Sequence, residues 1–190
     1  MNSKERLTRI FQGKEVDRPA LKLWGLQVDQ EMLHPAYKPV YDLAVEVTDI
    51  VGEAYSRINV FWGTGRDVEI SIEERPLPDS KWVDRIRYVN VGGRKLRSIF
   101  RYSKTGEPGY DIEHLVKEPE DLKALLKVKY EPFTIDINSY NEAIAKIGDR
   151  GVVIFDIDHA AYAVSRIMGS ECFALMCIDE RELIREAVET

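Results

Sequence analysis

The rhythm of apolar and polar positions changes several times along this chain, and each rhythm predicts an element. Leu7, Ile10 and Phe11 recur at i, i+3, i+4 between Ser3 and Gly13, which predicts a short helix capped by Ser3. Asp17-Arg18-Pro19 breaks the chain, and 20–26 then reads as a strand. Pro39 opens a helix with Val40, Leu43, Ala44, Val47 and Ile50 on one face and Gly52 behind it. A second core strand is expected over 57–62, closed by Gly63-Thr64-Gly65. From Val68 the texture becomes alternating, as in a half-exposed antiparallel strand, and two further strands flank Gly92-Gly93 as a hairpin. Helical spacing returns at 119–126, where a proline and acids sit at the amino end, and at 140–147 between Ser139 and Gly148.

The third expected core strand organises the rest. Val152-Val153-Ile154-Phe155 runs without alternation, opened by Gly151 and stopped by Asp156, Asp158 and His159. Such a run predicts a strand buried on both faces, the kind found in parallel α/β sheets, whose chemistry sits past the strands' carboxyl ends. Asp156 and Asp158 share a side in extended chain. A helix follows from Ala160 and ends at Gly169, so Asp158 is placed either to cap that helix or to serve a site, and the two roles are compatible. The last helix opens with capping-box spacing at Asp179 and Glu182 and carries Leu183, Ile184, Ala187 and Val188.

Composition narrows the class. With 190 residues, 44% of them apolar, the expectation is one α/β domain over 1–190 carrying a β insertion at 66–112. A net charge of −6 argues against a nucleic-acid binder or a basic membrane anchor. No apolar run approaches 18 residues and the opening does not read as a signal peptide, so a cytoplasmic protein is expected. Cys172 and Cys177 lie five apart in a predicted helix, pointing to different faces, and read as reduced thiols. The hairpin's Arg85, Arg87, Arg94, Lys95, Arg97 and Arg101 read as its solvated face, with anion attraction as the alternative. There is no phosphate-cradling glycine loop and no GxSxG elbow.

Three fragments in this order resemble the amino-terminal part of the uroporphyrinogen decarboxylase superfamily. They are Ser3-Lys4-Glu5-Arg6-Leu7 with the exit Gly13-Lys14-Glu15-Val16-Asp17-Arg18-Pro19, the link Val116 to Leu122, and Met168-Gly169-Ser170-Glu171 followed by Asp179 to Ile184. The resemblance implies α/β architecture as a partial (β/α)8 TIM barrel of about three βα units with an inserted antiparallel hairpin section. It implies a decarboxylase or a methyltransferase, with a corrinoid-linked transfer of methyl from methylcobalamin to a thiol preferred over porphyrin decarboxylation. The porphyrin decarboxylases carry an arginine-rich signature after the first strand, where this chain reads Trp24-Gly25-Leu26-Gln27-Val28-Asp29. The thiol methyltransferases hold zinc with a His-x-Cys pair and a distant Cys, a spacing that His34, His114, His159, Cys172 and Cys177 do not reproduce. Corrinoid and zinc are therefore expected only of a complete enzyme, and this chain alone is expected to be inactive.

By position, the resemblance puts Trp24, Gln27 and Tyr162 against substrate and gives Asp156, Asp158 and His159 the catalytic positions. An Asp-x-Asp-His metal site at 156–159 is a lesser option. The expected partners are a small-molecule or corrinoid-protein substrate and a second copy or complementary half. A non-catalytic α/β module that acts through self-association or a partner chain is the competing expectation.

Overall fold

The structure, a computed structural model, describes residues 1–23, 35–55, 61–63, 65, 68–78, 80–132, 137–156 and 158–189, with Tyr55 and Asp156 described by backbone alone. In chain order the helices and strands are α1 (Ser3–Phe11), α2 (Lys38–Val47), β1 (Ile50–Tyr55), β2 (Glu69–Pro76), β3 (Trp82–Val91), β4 (Arg94–Ser103), β5 (Tyr110–Glu113), α3 (Pro119–Leu126), α4 (Asn138–Ile147), β6 (Gly151–Asp156), α5 (Ala160–Asp179) and α6 (Arg181–Glu189). The fold is mixed α/β, with β1 and β6 in a parallel pair and β2 to β5 in an antiparallel sheet. The chain divides into two compact units, Met1–Arg57 with Ile135–Ile157 and Ile58–Thr134 with Asp158–Thr190.

In the first unit β1 and β6 pair in parallel register, from Ile50 opposite Gly151 to Tyr55 opposite Asp156. Parallel neighbours need a crossover, and α4, which enters β6 and packs on both strands, supplies it. Its Ile147 is buried with Ala44 and Ile50. Asn2 rather than Ser3 caps α1, its Oδ1 accepting the Glu5 N–H at 2.8 Å.

Four expectations change here. The helix expected to reach Ile50 stops at Val47, and Ile50–Tyr55 is a strand. Thr48 turns extended, with φ −97° and ψ 159°, and its hydroxyl donates to the Ala44 carbonyl at 2.6 Å. Next to it, the Asp49 N–H donates to the Leu21 carbonyl at 2.8 Å while its carboxylate is held in the interior. That anchoring outweighs the helical spacing of Val47 and Ile50, and β-branched Ile50 and Val51 suit the strand. Residues 20–23 join no ladder, and 24–26 lie outside the described residues. For the strand expected at 57–62, residues 57–60 lie outside the described ones, and Phe61 and Trp62 form a buried turn. β6 itself is present, but it is not buried on both faces: Ile154 is 38% exposed. The reason is that β1 is its sole strand neighbour among the described residues.

The second unit is built on the antiparallel sheet. The β3–β4 hairpin pairs Trp82 with Ser103 through to Val91 with Arg94, and Gly92 and Gly93 take φ of 51° and 79°, as a two-residue primed turn requires. Val89, Val91 and Leu96 from one sheet face pack with Leu122 of α3, Met168 of α5 and Ile184 of α6. The hairpin arginines do not form one solvated face as expected: Arg85, Arg87 and Arg94 lie on the side of Val89 and Leu96, and Arg97 and Arg101 on the other. Arg85 meets Glu74, Arg97 meets Glu113, Arg101 meets Asp84 and Arg94 meets Asp121, at 2.6 to 2.9 Å. α5 has the length and mean hydropathy (1.3) of a membrane span. It breaks at Gly169 (φ 77°, ψ 162°), so each helical piece spans about 15 Å, half of a hydrocarbon core of ~30 Å.

Candidate functional site

The residues after β6 form a small polar cluster on the first turns of α5, in the second unit. Ala160, Ala161 and Ala163 favour the helix, and the residue before it must cap it. His159 does so: its backbone is extended (φ −78°, ψ 148°), and its Nδ1 accepts the Tyr162 N–H at 3.1 Å. Of the two roles open to Asp158, the capping one is therefore taken by His159. Because Nδ1 accepts, the imidazole carries its proton on Nε2, leaving an N–H donor at the far edge of the ring.

Asp158 instead meets Arg166 Nη1 at 3.4 Å, an exposed pair. Arg166 also lies over the Tyr162 ring, 5.7 Å from its centroid, and the His159 and Tyr162 rings are 5.6 Å apart at 46°. The Ser165 hydroxyl donates to the Tyr162 carbonyl at 3.0 Å. The structure therefore brings Asp158, His159 and Tyr162 together and adds Arg166, which sequence reasoning passed over. Its signal was the i, i+4 spacing from Tyr162 on one helix face. The cluster offers an acid, a ring N–H donor, a phenol and a guanidinium to solvent, a set suited to binding and orienting a polar or anionic group.

The side chains of the other expected site residues lie outside the described ones. Asp156 ends β6 in the first unit, opposite Tyr55, and its side chain is outside the described residues. Trp24 and Gln27 also lie outside them. Among the described residues no three His, Cys, Asp or Glu side chains converge as a metal site would need. The described residues thus do not fit zinc.

A second polar cluster, in the first unit, centres on two buried side chains, Arg6 and Asp49. Arg6, 5% exposed, donates through Nε and Nη2 to both oxygens of Asp17 at 2.7 and 2.9 Å, and through Nη1 to Asp49. Arg18 Nη1 donates to Asp49 Oδ2 at 2.8 Å, and the Leu21 N–H donates to the same oxygen at 3.1 Å. Asp49 is 1% exposed. Burial works against its charge, but hydrogen bonds from the Leu21 N–H, Ser3, Arg18 and Arg6 outweigh that and hold its carboxyl below the usual range. The hydrogen bond from Arg6 likewise holds the Asp17 carboxyl far below its ordinary value. Arg6, Asp17 and Arg18 belong to the opening motif, and Asp49 is the partner no motif reading named. With its acceptors engaged by cations and amides, the cluster is a staple of α1 and the Asp-Arg-Pro turn onto the residue before β1.

No family model matches this chain, and no curated protein or solved structure matches it. The class that the fold itself defines is mixed α/β, with a parallel strand pair joined through a helix and a separate antiparallel sheet.

Proposed function

We propose that the chain is the amino-terminal portion of a uroporphyrinogen decarboxylase-like enzyme. In this reading its intact form is a partial barrel completed to (β/α)8 and is a corrinoid-linked methyltransferase acting from methylcobalamin to a thiol. The observation that carries the reading is the network in which Arg6 bridges Asp17 and buried Asp49 while Arg18 also meets Asp49. The polar residues of the opening motif act there as one device, fixing the first helix against the entry to β1. The parallel β1–β6 pair with α4 packed on both strands supports the reading, since a barrel is built of such strand–helix–strand arrangements. Asp158, His159 and Tyr162 then serve the substrate. His159 is a weaker capping choice than Asp or Ser, which supports a second role for the imidazole.

Zinc and corrinoid belong to the completed enzyme in this proposal, and no step is derived through either. The test is methyl transfer from methylcobalamin to a thiol, measured for the chain alone and for the chain joined to whatever its gene encodes after codon 190. The joined protein is expected to transfer methyl, and His159→Asn to lower that rate at least tenfold with the fold intact. Decarboxylation of a uroporphyrinogen in place of methyl transfer would move the assignment to the carboxy-lyases.

A second reading rests on its own observation. In the first unit Leu21, Val40 and Leu43, the last two on α2, are 48%, 53% and 57% exposed apolar side chains. A non-catalytic cytoplasmic module that covers these side chains with a second copy or partner chain gives neither activity and sediments as an oligomer; a monomer across the micromolar range refutes it.

A further inference from the structure

The break in α5 has a purpose that the cluster at its amino end does not explain. Gly169 sits in a backbone region open essentially to glycine alone, and a Cβ placed there would lie 2.4 Å from His114 Nε2. The imidazole therefore packs directly over the break, and among the described residues its ring nitrogens have no hydrogen-bond partner. Gly169 stands as the cap of the second helical piece and Cys172 as its third residue. His114, Gly169 and Cys172 line the same cleft.

Cys172 Sγ lies 3.6 Å from Met176 Sδ, one turn on. Two sulfurs that share a metal ion at about 2.3 Å with near-tetrahedral angles sit about 3.8 Å apart, so little movement is needed to admit an ion between them. Both sulfurs and His114 line one open cleft of about 450 Å³, with Met168 behind them. The donor set is thiol, thioether and imidazole, without the three hard or borderline ligands of a zinc site.

We propose that this cleft is a site for one soft monovalent cation, Cu(I) in the cell, held by Cys172, Met176 and His114. On binding, the Cys172 S–H bond breaks, an S–metal bond forms and the proton passes to solvent; nothing is oxidised or reduced. Without the ion the thiol makes only long contacts, to Met176 and to the Lys117 carbonyl at 3.9 Å. The site lies wholly within the second unit and does not rest on the methyltransferase reading.

The experiment titrates the reduced full chain with Ag(I), a redox-inert probe of Cu(I) sites, and reads stoichiometry by native mass spectrometry and affinity by competition with a thiol buffer. The expected result is one tightly held ion, kept in Cys177→Ser and lost in Cys172→Ser. Met176→Leu conserves volume and so keeps the fold, and it is expected to weaken the ion by tenfold or more, since changes outside the ligand shell already cost about 10–100-fold. Two ions of equal affinity, retention in Cys172→Ser, loss in Cys177→Ser, or an unchanged Met176→Leu would each overturn the proposal. Circular dichroism of every variant separates loss of the ion from loss of the fold.

Discussion

Replacing Asp49 with alanine tests the structural reasoning most directly. The carboxylate is 1% exposed and receives hydrogen bonds from Arg6, from Arg18 at 2.8 Å and from the Leu21 N–H at 3.1 Å. Bonds to a charged acceptor are worth about 1.5–3 kcal/mol each, but the three losses are not equal. Arg18 is partly exposed and regains water, whereas Arg6 is buried and keeps only Asp17 and the Met1 carbonyl. Removing one member of a buried pair costs about 3–5 kcal/mol, and the surviving Arg6–Asp17 contact puts Asp49→Ala near the lower end of that range. Domains are stable by about 5–15 kcal/mol, so such a loss opens the first unit to a measurable extent. Urea unfolding gives the size of the effect, and amide exchange gives its location. Protection should fall in α1, β1 and β6 while the β3–β4 hairpin keeps its own. A loss under about 1 kcal/mol, or one spread evenly over both units, would show that the cluster is not the staple described.

Other outcomes follow from the same geometry. Asp49 and Asp17 both have folded pKa values below their ordinary 3.8, so the unfolded chain binds protons first as the pH drops. The first unit should therefore hold its stability above about pH 4 and lose it progressively below; a loss beginning above pH 5 in a fluorescence or exchange titration would contradict this. His159→Asp provides a better cap at a helix start and should raise the melting stability of the second unit by about 0.5–1 kcal/mol; a lower stability would mean the imidazole does more than cap. Gly169→Ala should cost about 1–3 kcal/mol for backbone strain and displace the His114 ring, visible in its NMR shifts. Gly13→Ala is the control: its φ is +65° but nothing lies within 4 Å of the added Cβ, so its cost should be the smaller of the two.

Elements with local causes were legible in the residues. The hairpin at Gly92-Gly93, the helix behind Pro119 and the break at Gly169 each follow from a backbone preference that no neighbour has to supply. The candidate site was legible in part: Asp158, His159 and Tyr162 meet as neighbours on a single helix turn, but which of the first two caps it depended on backbone angles that composition does not encode. Arg166 was overlooked because its i, i+4 spacing from Tyr162 is common on exposed helix faces and gains meaning only once its acid and ring are placed around it.

By itself, the order of residues determined where the chain turns, which segments are amphipathic, and that an unbroken apolar run leads to Asp156, Asp158 and His159. Only the folded chain decided that Ile50 to Tyr55 is a strand, that Arg6 and Arg18 share one buried carboxylate, and that His114 lies over Gly169. The physical reason is range. Turns and caps are settled within a few residues, whereas a short apolar segment is equally compatible with helix and strand until a partner 100 residues away supplies the hydrogen bonds.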